Sequence, residues 1–324
     1  MKAIIYSEYG SPSVLRPADV PQPEPKNDEL LVKVYATGLN AADRLQLSGR
    51  PYVVRLFVGA LRKPKHAILG ADVAGVVEAV GGQVTRFRPG DAVFGDLSGA
   101  GWGGLAEYVC APERCWAAKP DGTGFEQAAA VPMAAVTALQ GLRDKGQIKP
   151  GQQVLIHGAS GGVGTFAVQI AKAYGAEVTA VCSARNGDMA RSLGADHVID
   201  YTREDFAQNG RRYDLILAAN GRRSMGDYRR ALAPGGICVV AGGAMRQIFA
   251  SMLLGRLFST GGRKVTSLTA QSSSADLAAV GELLEAGKIR PVIDRCYPLS
   301  ETAEAFRYLE REHARGKVVI SVAG

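Results

Sequence analysis

Cysteine is sparse and scattered in this chain. Its five residues (Cys110, Cys115, Cys182, Cys238 and Cys296) form no C-x-x-C pair, and none lies between Met1 and Val109. This excludes a disulfide framework, and in a chain with no export signal such thiols stay reduced. Histidine is scarcer still, with only His66, His157, His197 and His313. No apolar run approaches the ~18 residues that span a bilayer, so stable membrane insertion is not expected. The opening Met1–Tyr6 reads as a strand. It lacks the apolar core of a signal peptide and the Arg/Ser-rich character of a transit sequence, so a cytoplasmic setting is expected. Internal repeats and low-complexity segments are missing, and so is any Ser-Tyr-Lys or paired-carboxylate set that would name a general acid. The charge balance is +7, from 38 basic and 31 acidic residues. Arginine doublets at 211–212, 222–223 and 229–230 contribute to it, either as solvated helix ends or as a field attractive to anionic cofactors. No aromatic–basic interleaving accompanies them, so nucleic-acid binding is not expected.

What is present is patterned. At 324 residues the chain suits two domains. Residues 1–122 read as a β-rich unit, with strand-like runs at Leu30–Tyr35, Val73–Val80, Ala92–Phe94 and Ala106–Val109 between Gly/Pro turns. From about Phe125, helical stretches alternate with apolar strands at Val154–His157, Val178–Cys182, His197–Ile199, Leu215–Ala218 and Ile237–Ala241. Such alternation predicts a doubly wound parallel sheet. Beyond Val265–Leu268 come a helix at Ser274–Ala286, a strand near Val292–Pro298, a helix at Ser300–Glu312 and a terminal strand at Lys317–Val322. The apolar stretch Ile248–Phe258 reads as core or subunit-interface packing, as a wall for an apolar substrate, or as a lipid contact.

The most informative segment is Val154–Gly164. A strand drops into the glycine-rich turn Gly158-Ala159-Ser160-Gly161-Gly162-Val163-Gly164, and a helical pattern follows at once. Glycines let backbone approach a dinucleotide pyrophosphate, and the helix N-terminus offers unpaired N–H groups and partial positive charge. Ser160, Gly161, Gly162 and Val163 are the candidate phosphate contacts. Alanine takes the first position of the usual G-x-G-x-x-G. About 20 residues on, a carboxylate would accept the ribose 2′-OH of NAD. Here the second strand ends at Ser183-Ala184-Arg185-Asn186. Its hydroxyl and guanidinium suit a 2′-phosphate, so Ser183 and Arg185 point to NADPH, the bland alternative being a polar loop. Asn220 ends the fourth strand and Gly242-Gly243 the fifth, at the strand carboxyl ends where open α/β sheets bind ligands. The glycines either make room for the nicotinamide ribose or form a simple turn.

Four segments carry a resemblance over essentially the whole length. They are Gly38-Leu39-Asn40-Ala41-Ala42-Asp43, Leu69–Val77 with Gly81, Arg88-Pro89-Gly90-Asp91-Ala92-Val93-Phe94-Gly95, and the phosphate loop. The chain resembles a medium-chain dehydrogenase/reductase of the zinc-independent, quinone oxidoreductase-like (zeta-crystallin-type) branch. The resemblance implies an α/β protein with two domains separated by a cleft. A GroES-like catalytic domain at 1–122 is completed by 272–324, and a Rossmann domain occupies 123–271. It also implies zinc independence, because the positions of the family's zinc ligands hold Asn40, Ala71 and a residue near Met133. The structural-zinc lobe of four cysteines is missing too.

Without zinc, direct hydride delivery to an already electrophilic acceptor remains, and quinones and α,β-unsaturated carbonyls fit. By resemblance Asn40 lines the cleft, where its amide donates to the acceptor carbonyl; the alternative is a turn residue. Asp43, Tyr52 and Trp102 are weaker pocket candidates, and Tyr52–His66 reads as a substrate-side lid. Tyr201 matches a family tyrosine near the adenosine phosphate, or caps the sheet edge. A homodimer extending its sheet through Val265–Leu268 is expected as in relatives. The rival readings are an enoyl or enone reductase and an NADPH-binding protein with little turnover.

Overall fold

The computed structural model describes residues 1–52, 55, 63–219, 223–242, 259, 261–311 and 314–323. Asn220, Gly243, the stretch Ile248–Phe258, most of the expected lid and His313 lie outside these. The chain divides into two units, Met1–Met133 with Ser272–Glu285 and Ile293–Gly324, and Ala134–Gln271 with Ala286–Val292.

The first unit opens with a β1 (Lys2–Ile5) and β2 (Arg16–Asp19) hairpin-like pair, followed by the long β3 (Glu29–Leu39). Next come α1 (Ala41–Ser48), β4 (Asp72–Val80), β5 (Ala92–Asp96), β6 (Tyr108–Pro112), β7 (Trp116–Ala118) and α2 (Phe125–Ala129). Antiparallel pairing of β3 with β4 and of β4 with β5 buries Val32, Val34, Val73, Val77 and Val93 in one core. Branched side chains at alternating positions fit that pleated, half-covered surface. The strand expected to begin at Ala106 starts instead at Tyr108. Ala106 makes only an isolated bridge to Ala3. Helix α1 was not anticipated. It ends in Gly49 at φ 56, the left-handed conformation that glycine tolerates without a Cβ penalty.

The second unit begins with α3 (Pro132–Leu139), whose first residues belong to the first unit, and continues with β8 (Gln153–His157), α4 (Gly162–Ala173) and β9 (Glu177–Cys182). It goes on through α5 (Gly187–Ser192), β10 (His197–Asp200), β11 (Tyr213–Ala218), α6 (Met225–Ala231), β12 (Leu232–Val240) and β13 (Lys264–Ser267). All six strands pair in parallel, in the order β10-β9-β8-β11-β12-β13. Numbered from β8, that is the doubly wound order 3-2-1-4-5-6, whose reversal between β8 and β11 opens a crevice at the strand carboxyl ends. The inner strands β8, β9 and β11 are buried on both faces and read as the continuous apolar runs seen in the sequence, while the edge strands β10 and β13 are only partly buried.

The chain then returns to the first unit through α7 (Ser274–Glu285), β14 (Ile293–Pro298), α8 (Thr302–Arg311) and β15 (Lys317–Ser321). Helix α8 starts two residues later than expected, because Leu299–Glu301 form a separate 3-10 turn after Pro298. Strand β15 inserts beside β3 and places Val318 opposite Leu39, so the last strand of the chain meets the segment leading into Asn40.

Candidate functional site

In the second unit, β8 ends at His157 and the chain turns through Gly158, whose φ of 86 only glycine adopts readily. The left-handed residue is thus one place before Ala159, so Ala159 carries its methyl at no conformational cost and is fully buried. Gly161 caps α4 without a side chain, leaving the N–H groups of the first turn with no intrahelical acceptor. Ser160, Gly161, Gly162 and Val163 are only partly buried. A Cβ on Gly161 would meet nothing but the Gly158 carbonyl at 3.7 Å, whereas one on Gly164 would collide with the backbone of Gly158 and Ala159. The first glycine keeps open space over the N–H groups, and the second lets helix and loop touch. This cradle fits a pyrophosphate by shape and by the sign of its dipole.

Beneath the loop, His157 Nδ1 lies 2.7 Å from the Tyr228 hydroxyl, with Phe206 packed against both rings. Burial, and then the charge of Arg223, pushes His157 down to about 4, so it is a neutral core residue. His197 opens β10, as its run His197–Ile199 predicts, and its Nε2 lies 2.9 Å from Glu177 Oε1.

The turn after β9 presents Ser183 partly buried and Arg185 exposed, while Asn186 is buried and donates to Ser183 Oγ at 3.2 Å. Tyr201 follows β10 and is 51% exposed. The fold adds a group that Ser183–Asn186 lack. Asp200 pairs in register with Cys182 and so brings a carboxylate to the end of β9. The Thr202 N–H and hydroxyl hold that carboxyl below its ordinary range, and Arg203 lies 3.9 Å away. Among the described residues, Asn186 Oδ1 and Asp200 Oδ2 are buried without a hydrogen-bond partner. Gly242 follows β12, where a Cβ would come within 2.5 Å of the Ala219 carbonyl. Its glycine is therefore required by the close approach of the β11 and β12 ends.

In the first unit, Asn40 ends the β3 segment and Asp43 sits in the first turn of α1. Asp43 is fully buried and accepts from the N–H of Asn40 at 2.8 Å and of Gly70 at 3.0 Å. Burial, opposed by these N–H groups and reinforced by the charge of Asp72, pushes it up to about 7. Its geometry is that of a helix cap and a tether to the Gly70 loop.

Two residues that the sequence reading passed over complete the cluster. Lys317 and Asp72 are 3% and 0% exposed and lie 2.9 Å apart. The ammonium also donates to Asn40 Oδ1 at 2.5 Å. Asn40 Nδ2 donates to Asp72 Oδ2 at 2.9 Å and to the Gly38 carbonyl at 3.3 Å, and Asp72 Oδ1 accepts from the Met133 N–H at 2.9 Å. Every oxygen of the pair is thus satisfied, which a buried ion pair requires; removing one partner typically costs about 3–5 kcal/mol. Asp96, on β5 beside this cluster, is pushed up to about 6 by burial and by Asp72. The signal for Asp72 was a lone charge inside an apolar run, before Val-Ala-Gly-Val-Val, whereas Lys317 follows the charged segment ending Arg315-Gly316 and is marked only by opening the run Val-Val-Ile.

Trp102 is 6% exposed, with φ 66, in a core shared with Tyr6, Leu69 and Phe306. Tyr52 is 66% exposed and stacks on the Arg55 guanidinium at 4.7 Å. The donor set Asn40, Ala71 and Met133 does not fit a zinc ion. It holds no thiolate or imidazole, and the Lys317 ammonium bonded to Asn40 and Asp72 would repel one. Among the described residues no group of three or more His, Cys, Asp or Glu side chains could hold a metal. No helix among them is long and apolar enough to cross a membrane.

Residues 26–121 match the alcohol dehydrogenase GroES-like domain, and residues 193–320 match the zinc-binding dehydrogenase domain. The chain is 36% identical over 331 residues to the chloroplastic NADPH-dependent alkenal/one oxidoreductase of Arabidopsis thaliana, covering 99% of this chain and 79% of that protein. The quinone oxidoreductase from Coxiella burnetii superposes with a TM-score of 0.87 at 33% identity, over 100% of this chain and 99% of that one. The Escherichia coli quinone oxidoreductase complexed with NADPH gives 0.84 at 27% identity, over 99% and 100%. A parallel sheet in Rossmann order, a GroES-like unit closed by the chain's own last strand, and full-length kinship to these enzymes converge: the protein belongs to the medium-chain dehydrogenase/reductase family of oxidoreductases, in its quinone oxidoreductase-like branch.

Proposed function

We propose that the protein is a zinc-independent, NADPH-dependent oxidoreductase that reduces a quinone or a similar activated carbonyl compound. The observation that carries this reading is the phosphate cradle at the N-terminus of α4, set at the reversal of the parallel sheet. Ser160, Gly161, Gly162 and Val163 would hold the pyrophosphate. Ser183, Arg185 and Tyr201 would hold the adenosine 2′-phosphate end, with Asn220, Gly242 and Gly243 toward the nicotinamide ribose. NADPH, when bound, supplies the hydride. In the first unit, Asn40 Nδ2 offers an N–H to the acceptor oxygen. One of its hydrogens is held at 2.9 Å by Asp72, and the other, among the described residues, makes the 3.3 Å contact to the Gly38 carbonyl that an acceptor would displace. Asp43 shapes this segment through its cap, while Tyr52 and Trp102 are proposed for the acceptor pocket. Zinc independence is supported by the donor chemistry around Asn40 and by the ammonium seated there.

A second reading, reduction of the C=C bond of an enone, is favoured by the 36% identity to the alkenal/one oxidoreductase. The two are separated by following NADPH absorbance with a panel of quinones and a panel of enones. Turnover confined to one class assigns it. Silence across both, with NADPH still bound, would leave only a cofactor-binding role. One equivalent of tightly held zinc in active protein would sink the metal-free reading. A homodimer is proposed on the edge position of β13, which pairs with no strand but β12 among the described residues, and light scattering tests it. A cytoplasmic setting is proposed on the five free thiols, and cell fractionation tests that.

A further inference from the structure

Asn40 has two chemically opposite ends, and only one of them suits an acceptor oxygen. The Nδ2 end donates a hydrogen bond to a carbonyl that gains negative charge on reduction, whereas the Oδ1 end would repel it. An asparagine alone is nearly symmetric in shape and can turn either end outward. Here its surroundings remove the choice. Lys317 Nζ can only donate, and it lies 2.5 Å from Oδ1. The Asp72 carboxylate and the Gly38 carbonyl can only accept, and both lie against Nδ2. The ammonium is itself fixed, since it is buried and paired with Asp72 at 2.9 Å, and Asp72 is anchored through its other oxygen by the Met133 N–H.

We propose that Lys317 is a positioning residue for the reaction: by holding Asn40 Oδ1 it commits the amide to present an N–H to the acceptor oxygen. This rests on the reading of Asn40 as the group that meets the acceptor. Lys317 touches neither acceptor nor cofactor in this role. It acts through Asn40 and, by drawing density from the amide oxygen, makes the remaining N–H a stronger donor.

The charged and titratable groups around the ammonium come from three elements, Asp43 on α1, Asp72 on β4 and Asp96 on β5, with Tyr6 beyond Asp43. Lys317→Met alone would leave Asp72 buried without its cation, so the informative protein is Lys317→Met combined with Asp72→Asn. It buries no net charge at the pair and removes two of the three groups that orient the Asn40 amide, leaving only the 3.3 Å contact to the Gly38 carbonyl. With 1,4-benzoquinone and methyl vinyl ketone as acceptors, the double variant is expected to keep its NADPH affinity within about twofold. It is expected to lose about a hundredfold in kcat/KM for whichever acceptor the wild type uses. Asn40→Ala should lose a similar factor, and adding the double substitution to Asn40→Ala should cost little more, because the two act through one group. A folded double variant with acceptor kcat/KM within about twofold of wild type would overturn the proposal, as would losses that multiply in the triple variant. A wild-type protein inert toward both acceptors would instead overturn the functional reading, and this inference with it.

Discussion

Gly161→Ala separates holding a phosphate from holding the fold. In the free protein the new methyl meets only the Gly158 carbonyl at 3.7 Å, ordinary contact, and the residue's φ of −85 is open to alanine. Alanine restricts the unfolded chain, which stabilises by about 0.4–1 kcal/mol, and is a poorer helix cap, which costs a comparable amount. The net change is within about 1 kcal/mol, or roughly 2–4 °C in Tm. The bound state differs. The same methyl occupies the open face over the first N–H groups of α4, where a phosphate oxygen must approach to hydrogen-bond distance. Losing one charge-assisted hydrogen bond is worth about 1.5–3 kcal/mol, so Kd for NADPH should rise about tenfold to a hundredfold. Calorimetric titration with NADPH, beside a thermal melt of the free protein, reads both quantities. An unchanged Kd in a variant with unchanged Tm would refute the placement of the phosphate at this helix end.

Three further outcomes are expected. Arg185→Ala should narrow the NADPH over NADH ratio in kcat/KM by about tenfold or more, the worth of one charge-assisted contact; an unchanged ratio would remove Arg185 from cofactor choice. Asp43 is pushed up to about 7, so the folded protein binds its proton more tightly than the unfolded chain does. Its contribution to stability is therefore lost as pH rises from about 4 to about 7, and the Tm of wild type minus that of Asp43→Asn should fall across that window. A flat difference would contradict the buried environment of the carboxyl. Tyr228→Phe leaves the His157 nitrogen buried without its 2.7 Å partner and should cost about 1–3 kcal/mol, read as a lower Tm; equal melting would show that the pair contributes nothing.

Much of this architecture was legible because local chemistry and global fold agree. The runs Val154–Ile156 and Leu215–Ala218 are apolar throughout because both faces of their strands are covered. Gly158 through Gly164 advertise a turn and a helix start that few other sequences satisfy. Helix α1 was hidden because its eight residues, Ala41–Ser48, carry no strong apolar stripe and it is held by Asp43 reaching across to Gly70. Asp200 escaped notice for a related reason: its nearness to the end of β9 comes from strand pairing, not from its distance along the chain.

The sequence by itself determined the periodicities, the glycines and the missing thiolates, hence a parallel sheet with a glycine-rich turn after its first strand, and a site poor in zinc ligands. Only the tertiary structure decided what surrounds Asn40. Lys317 stands 277 residues from it and Asp72 stands 32, and no local pattern links the three. The terminal strand β15 pairs with β3, and that pairing carries a buried ammonium to the amide. A charge can lie so deep only where its partner is already in place, and partners are supplied by the fold rather than by the neighbouring sequence.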